Sequence, residues 1–293
     1  MTLRTDIAPW FPWTDRAGRA SALKLVCCLA LVAPAAWMAL EWRMGWLSPK
    51  PFTDLVRESG DWAVRVLVLS LAVTPLRWVT RWNRLVLVRR MLGLAALYYT
   101  LLHIAFWCAD LRFAWLQILW EMFARLFIAV GLAATLLMAA LGVTSNDFSI
   151  RRLGAVRWNA LHAWVYVAGL LSLAHFFMEI RLDATEAAMM TGFFVLLMAF
   201  RLVRKKWTPG LVSLAGTAVV CAVSTALIEG VYYSLSTRVA FSRVLEANFD
   251  FSWTIRPAWW VLAAGLVIAL LAAWRNRVAP APSVTRALAA RSA

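Results

Sequence analysis

Only four cysteines occur in the 293 residues, and none of them lies in a C-x-x-C or C-x-x-C-H pattern. This absence argues against an iron–sulfur cluster, a structural zinc site and a c-type haem. The chain also has no P-loop, no G-x-G-x-x-G after a strand pattern and no H-E-x-x-H motif, so it lacks the usual signatures of nucleotide-binding folds and zinc proteases. Histidine is rarer still, with three residues in the whole chain.

Apolar residues, in contrast, make up 63% of the sequence, whereas soluble domains contain roughly half. They are concentrated in segments about as long as the roughly 20 residues that a helix needs to cross a bilayer. The runs cover residues 23–42, 62–80, 91–109, 123–143, 158–178, 186–203, 210–235 and 257–274. Because a helix satisfies its own backbone in lipid, the sequence predicts an all-α, polytopic membrane bundle of about eight transmembrane helices.

Four segments are predicted along the chain. Residues 1–22 are predicted to form a cytoplasmic N-terminal segment, 23–206 a six-helix membrane domain, 207–276 two additional transmembrane helices, and 277–293 a disordered cytoplasmic tail rich in small residues. The first apolar run is longer than the hydrophobic region of a signal peptide, so we interpret it as a retained helix.

The net charge of +15 predicts contact with anionic lipid headgroups rather than with nucleic acid, because the basic residues lie in short connections between apolar runs. Twenty Lys and Arg residues lie at the two termini and in the second, fourth and sixth connections, against eight in the other connections. The positive-inside rule then places both termini in the cytoplasm.

The three histidines, His103, His162 and His175, all fall inside predicted membrane helices. Each could simply form a hydrogen bond between helices, but an ionisable residue within the bilayer is a functional candidate. In the predicted topology, His103 and His175 lie about 20 Å and 27 Å from the cytoplasmic ends of their helices. Two imidazoles at similar depth on different helices fit axial ligation of a haem.

His162 lies only about 7 Å from the cytoplasmic end of its helix, and about 140° around that helix from His175. It is therefore not expected to face the same haem. It either forms a structural hydrogen bond or belongs to a second redox group, which could be another haem or a flavin near the basic cytoplasmic connection.

Three further ionisable residues lie within apolar runs. Arg65 and Arg125, placed near the outer ends of their helices, either reach the interface with their charged ends or bind haem propionates, whose geometry suits Arg. Glu229 in the seventh run is either a proton-linked group or a residue that reaches the outer interface.

Several short motifs resemble the ferric-reductase-like transmembrane family, and most closely its MsrQ (YedZ) branch. They are Ser59-Gly60-Asp61-Trp62-Ala63, Val73-Thr74-Pro75-Leu76, VRRMLGL at 88–94, Leu102-His103, Thr144-Ser145, RRLGAVRWNALHAWVYV at 151–167, and His175-Phe176. They cover about half of the chain, from Ser59 to about Lys205. The three histidines correspond to the haem-associated histidines of the family.

This resemblance implies a b-type cytochrome of the inner membrane that contains haem b, and FMN is also associated with the family. It would take electrons from a cytoplasmic flavin reductase or from quinol. It would pass them to a periplasmic molybdopterin subunit that reduces methionine sulfoxide. The alternatives are a ferric reductase that acts on external metal, and a non-redox transporter or scaffold with structural histidines.

The chain also departs from the family pattern. Two helices are added after about Trp207, the start of the fourth helix reads Arg125-Leu126-Phe127, and the end of the fifth reads Met178-Glu179-Ile180-Arg181. The last two changes lie on the predicted outer side, where an electron acceptor would bind.

Overall fold

The structure, a computed structural model, describes residues 13–14, 20–180, 182–206, 210–252 and 254–278. These ranges are almost entirely helical and contain no β-strand, only an isolated bridge between Thr14 and Ala20. Their α-helices are α1 (Ala22–Met44), α2 (Pro51–Thr80), α3 (Val86–Asp110), α4 (Trp115–Ala124), α5 (Leu126–Val143), α6 (Asp147–His162), α7 (Val165–Glu179), α8 (Thr185–Lys206), α9 (Leu211–Ser236), α10 (Phe241–Glu246) and α11 (Pro257–Val278).

Eight candidate spans in the described residues are long and apolar enough to cross a membrane. Six correspond to α1, α2, α5, α8, α9 and α11; the third combines a short 3₁₀ turn at Asn83–Leu85 with α3, and the fifth combines α6 with α7. The predicted polytopic helical bundle is therefore confirmed, and the chain is a multi-pass membrane protein.

Two predicted helices are interrupted. The run at 123–143 breaks at Arg125, whose extended backbone (φ −105°, ψ 112°) separates α4 from α5. The run at 158–178 breaks directly after His162, where α6 ends and α7 begins at Val165. Within α6, Gly154 has φ 75° and ψ 156°, which kinks the helix at a residue without a Cβ. The breaks at Arg125 and after His162 have apolar residues on both sides, so hydrophobicity alone does not predict them.

One compact unit, here named unit 1, contains the described residues of the ranges 1–73 and 84–181. Its core joins α1, α2, α3, α5 and α7. Tyr99 of α3 is almost fully buried there, and its hydroxyl donates a hydrogen bond to the carbonyl oxygen of Leu31 at 2.6 Å. This bond ties α3 to α1 and satisfies the one polar atom of a large buried ring.

The other compact unit, here named unit 2, contains the described residues of the ranges 74–83 and 182–293. Its core is formed by the end of α2 with α8, α9 and α11, around side chains such as Phe200, Leu214 and Val261. The predicted boundary at residue 206 therefore separates α8 from the helices with which it packs. The four predicted segments stay a prediction. Most of segment 1–22, and residues 279–293 of the tail, lie outside the described residues.

Candidate functional site

His103 of α3 and His175 of α7 lie side by side within unit 1. Their ring centroids are 6.2 Å apart and their ring planes are nearly perpendicular, at 86°. The sequence places them 72 positions apart, on helices separated by α4, α5 and α6. The structure thus brings together the two histidines that were paired by depth.

Each of these histidines is oriented by a backbone carbonyl. The Nδ1 of His103 lies 2.8 Å from the carbonyl oxygen of Val56, and the Nδ1 of His175 lies 2.7 Å from that of Phe127. A carbonyl oxygen can only accept, so Nδ1 must carry the proton in both rings. In a neutral imidazole this leaves the lone pair on Nε2, the nitrogen that would bind a metal.

This arrangement fits the axial ligands of a haem iron. Two imidazoles on opposite sides of one metal have ring centres roughly 6 Å apart, since each metal–nitrogen bond measures about 2 Å, and the observed separation is 6.2 Å. Within the described residues, no group of three or more His, Cys, Asp or Glu side chains could hold a metal ion. Two histidines are too few for a structural zinc site, but a porphyrin supplies the other four ligands to its iron.

His162 lies apart from this pair, at the end of α6. Its imidazole stacks on the indole of Trp158, and its Nε2 is 3.2 Å from the hydroxyl of Thr144. It borders a cavity of about 230 Å³ in unit 1 that Arg89, Arg90 and Trp158 also line. Two guanidinium groups and an aromatic ring are suited to a ligand with a flat ring and an anionic group.

The two predicted propionate-binding arginines lie in different surroundings. Arg125 forms an ion pair with Glu121 at 3.6 Å, and half of its side chain is exposed. Arg65 is fourteen residues beyond Pro51 in the 30-residue α2, so it lies near the middle of the helix rather than near its end. Its guanidinium lies 5.1 Å from the centre of the Trp62 indole. Their proposed binding of propionates stays a prediction.

The residues that sequence reasoning missed are the two that contribute backbone oxygens, Val56 and Phe127. A carbonyl exists at every position, so no residue type marks these two in the sequence. Four residues after each carbonyl there is a glycine, Gly60 or Gly131, directly beneath the imidazole. Gly60 belongs to one of the motifs that carry the family resemblance, but the sequence alone did not predict its contact with His103.

Comparison with known proteins shows the family to which the chain belongs. Residues 59–173 match the family model described as ferric reductase like transmembrane component. The matched segment contains His103 and His162 and ends two residues before His175. No solved structure matches the chain.

Three curated relatives are each named protein-methionine-sulfoxide reductase heme-binding subunit MsrQ. The protein from Rhodospirillum rubrum is 37% identical over 190 residues, which are 64% of this chain and 89% of the relative. The protein from Xanthomonas axonopodis pv. citri is 36% identical over 191 residues, 63% of this chain and 87% of the relative. The protein from Caulobacter vibrioides is 36% identical over 174 residues, 59% of this chain and 83% of the relative. Because these matches cover most of each relative, the chain belongs to the MsrQ family of ferric-reductase-like membrane proteins.

Proposed function

We propose that this protein is a b-type cytochrome of the inner membrane that carries electrons outward to a periplasmic methionine sulfoxide reductase. The observation that carries the proposal is the His103–His175 pair, with a centroid separation of 6.2 Å and both Nδ1 atoms bound to carbonyl oxygens. The MsrQ relatives are named as haem-binding subunits of a methionine sulfoxide reductase, which supports the binding of haem.

In this proposal the chain provides both axial ligands of one haem b and holds them in fixed orientations. His103 and His175 present Nε2 from α3 and α7, and the carbonyls of Val56 and Phe127 hold each ring in one tautomer. The bound haem would supply one-electron chemistry between ferric and ferrous iron. Arg125 or Arg65 would hold the propionates, since a guanidinium binds a carboxylate with paired hydrogen bonds.

The proposed direction of electron flow follows from charge. With twenty basic residues on the predicted inner side and eight on the other, both termini are cytoplasmic, and the ends of α3 and α7 that carry the histidine pair face the periplasm. Reduction of a methionine sulfoxide consumes two electrons and two protons and releases water. The cytochrome would therefore pass two electrons, one at a time, to the periplasmic molybdopterin subunit for each turnover.

The cavity beside His162 is proposed as the place where electrons arrive. It would accept reduced flavin from a cytoplasmic flavin reductase, or quinol, or hold FMN as a bound group. Its volume of about 230 Å³ is slightly below the usual range of ligand pockets, about 300–1,000 Å³. Together with the contact between His162 Nε2 and Thr144, this volume favours a flavin or quinol ring over a second haem ligated by His162.

The haem is tested by spectroscopy of purified full-length protein. Wild type should show a Soret band and sharp α and β bands after dithionite, with a low-spin signal in electron paramagnetic resonance. His103→Ala and His175→Ala should each lose the low-spin spectrum, whereas His162→Ala should retain it. A colourless wild type would contradict the proposal and favour the transporter or scaffold. Unchanged spectra in both variants of the pair would contradict the ligand assignment.

The direction and the acceptor are tested in liposomes that enclose a flavin reductase with NADH and flavin. External molybdopterin subunit should be reduced, and it should convert methionine sulfoxide in a model peptide to methionine. If ferric citrate outside is reduced instead, while the molybdopterin subunit is not, the protein is a ferric reductase.

A further inference from the structure

The two histidines of the pair are held by the same local arrangement, which occurs twice. His103 lies against the turn of α2 from Val56 to Gly60, and His175 lies against the turn of α5 from Phe127 to Gly131. In both turns the carbonyl comes from the residue four positions before the glycine. The histidine follows its carbonyl residue by 47 positions in one case and 48 in the other. These two turns, 56–60 and 127–131, are here named the docking turns.

The glycines are needed because of how closely the rings approach. A Cβ added at Gly60 would lie 3.0 Å from Nδ1 and 3.2 Å from Cε1 of His103. At Gly131 it would lie 2.9 Å from both Nδ1 and Cε1 of His175. Carbon atoms without a bond prefer separations near 3.5–4.0 Å, so any side chain at either position would push the imidazole away from its carbonyl.

Other glycines in the described residues contact different kinds of atoms. A Cβ at Gly142 would meet Leu97, and one at Gly265 would meet Ala218, which is ordinary close packing of helices. At the docking turns, by contrast, the absence of a Cβ leaves space for an imidazole. The Nδ1–H of that imidazole donates a hydrogen bond to a carbonyl oxygen of the same helical turn. The repeated geometry indicates a role toward the rings rather than toward helix packing.

We propose that Gly60 and Gly131 are positioning residues that fix the two imidazoles as a matched pair of iron ligands. In each docking turn the carbonyl oxygen accepts the hydrogen bond from Nδ1–H of the histidine, and this contact orients Nε2. The two turns together set the angle of 86° between the rings. The inference rests on the proposed function, because it assigns these glycines to the ligands of the proposed haem. Hydrogen bonds and ligand orientation are among the properties by which a protein tunes a metal site.

The first test measures haem retention and the spin state of the haem iron. Gly60→Ala and Gly131→Ala should each weaken haem retention by about 10- to 100-fold, the usual effect of removing an outer contact of a metal ligand. They should also convert part of the low-spin signal to high-spin and change the g-values of the rest. The matched control is Gly216→Ala in α9, where an added Cβ meets nothing within 4 Å. If both alanine variants keep wild-type haem retention and g-values, the proposal is overturned.

The second test is a double-mutant cycle that does not depend on haem. Thermal unfolding midpoints are measured for Gly60→Ala in the wild type and in a His103→Ala background, after removal of haem by extraction. The small side chain in that background leaves space for the new methyl group, so Gly60→Ala should lower the midpoint only when the imidazole is present. Folding of Gly60→Ala solely in the His103→Ala background would also support the proposal. Equal losses in both backgrounds would overturn it.

The two tests distinguish the inference from the proposed function. If the wild type binds no haem, the proposed function fails, whereas the unfolding cycle still shows whether Gly60 acts through the ring. If His103→Ala and His175→Ala abolish the low-spin spectrum but the glycine variants leave it unchanged, the haem ligands stand and the docking turns have no positioning role. The same cycle with Gly131→Ala and His175→Ala checks the second turn.

Discussion

Trp158 stacks on His162 with 3.8 Å between ring centroids and 22° between ring planes. The indole Nε1 donates a hydrogen bond to the carbonyl oxygen of Thr144, whose hydroxyl lies 3.2 Å from His162 Nε2. Thr144 thus contacts both rings from the end of α5. The stacked pair forms one wall of the cavity that Arg89 and Arg90 also line.

His162→Ala is expected to leave the spectrum of the haem held by His103 and His175 intact while slowing reduction by a cytoplasmic flavin donor. Loss of the imidazole removes part of the cavity wall, so the donor is no longer held at a fixed position. A slowing of about tenfold, equivalent to roughly 1.4 kcal/mol in the barrier, is expected. Haem content by pyridine haemochrome and stopped-flow reduction separate the two effects.

The control for this experiment is Trp158→Phe, which keeps a stacking ring but loses the hydrogen bond to Thr144. It should reduce the rate less than His162→Ala does. If haem loading and the reduction rate both stay at the wild-type level in His162→Ala, then His162 has only a structural role.

Both termini are expected to lie in the cytoplasm. Twenty basic residues border one side of the predicted membrane and eight border the other, and such a bias orients polytopic proteins during insertion. A fluorescent protein fused after Ala293 should fold and emit, whereas alkaline phosphatase fused there should be inactive. Phosphatase fused after Phe113, between α3 and α4, serves as the opposite control and should be active. Active phosphatase at Ala293 would exclude the proposed orientation.

The sequence predicted the eight spans because hydrophobicity and helix length are local properties that lipid selects directly. It also paired His103 with His175, since position along a helix converts to depth through a constant rise per residue. The docking turns could not be found in this way. They depend on an imidazole of one helix lying so close to a glycine of another helix that a Cβ would not fit between them. Only the packed structure determines that distance.

The packing of α8 was also beyond the sequence. Its apolar pattern resembles that of its neighbours, so nothing local indicates that it belongs with α9 and α11 in unit 2. The break at Arg125 was not predicted either, because no local sequence signal marks it. Extended backbone at one residue interrupts an otherwise continuous apolar run, and α4 exposes Leu116 and Phe123 while burying Ile118 and Glu121.

Arg125→Gln is expected to destabilise the protein, because Glu121 would lose its cationic partner while its side chain remains 6% exposed. Gln117 also donates a hydrogen bond to Glu121 at 2.9 Å, which limits the loss. Since half of the Arg125 side chain is exposed, solvent screening reduces the expected cost to about 1 kcal/mol. Chemical denaturation in detergent measures it.

The double variant Glu121→Gln with Arg125→Gln should recover much of this stability, because it removes the unpaired carboxylate. If Arg125 also binds a haem propionate, the single variant should lower the reduction potential, since removing a positive charge favours the ferric form. Arg243→Gln, an exposed substitution in unit 2, is the control for the change in charge. A potential that shifts equally in the control would contradict the propionate contact.

The ion pair between Glu229 and Arg256 in unit 2 should show an asymmetric response to substitution. Glu229 is completely buried, Arg256 donates to its Oε1 at 3.3 Å, and its Oε2 has no hydrogen-bond partner among the described residues. Arg256→Gln leaves a buried carboxylate without a cation and should cost about 3 kcal/mol. Glu229→Gln should cost less, because the Arg256 side chain is 29% exposed and can be solvated. Denaturant titration compares the two variants, and equal losses would contradict this account.

Asp183, which lies between α7 and α8, should make the stability of unit 2 depend on pH in the acidic range. Its Oδ1 accepts a hydrogen bond from the backbone N–H of Thr185 at 3.0 Å and lies 3.4 Å from the hydroxyl of Tyr233. Hydrogen bonding from the Thr185 side chain is the main cause that lowers the pKa of this carboxyl, the bond from the Thr185 backbone comes second, and Tyr233 and Arg256 lower it further. Because the folded-state pKa is below the unfolded value of about 3.9, Asp183 stabilises the fold at neutral pH. That contribution is lost as the pH falls below the unfolded value and through the folded one.

The measurement for Asp183 is the difference in unfolding midpoint between wild type and Asp183→Asn, recorded from pH 7 down to the lowest pH at which the protein still folds. Asparagine keeps an acceptor for the Thr185 N–H but cannot ionise, so the variant isolates the charge of Asp183 from the other carboxylates. Wild type should be more stable by a constant amount above about pH 5, and its advantage should shrink steadily as the unfolded chain begins to bind a proton near pH 3.9. Asp250→Asn is the matched comparison, because hydrogen bonds from Ser252 also lower the pKa of that carboxyl, but the carboxyl is fully exposed. A smaller difference for Asp250→Asn would show that the contact of Asp183 with Tyr233 of α9, rather than local bonds alone, makes Asp183 stabilising. An advantage for wild type that grows as the pH falls would contradict the lowered pKa.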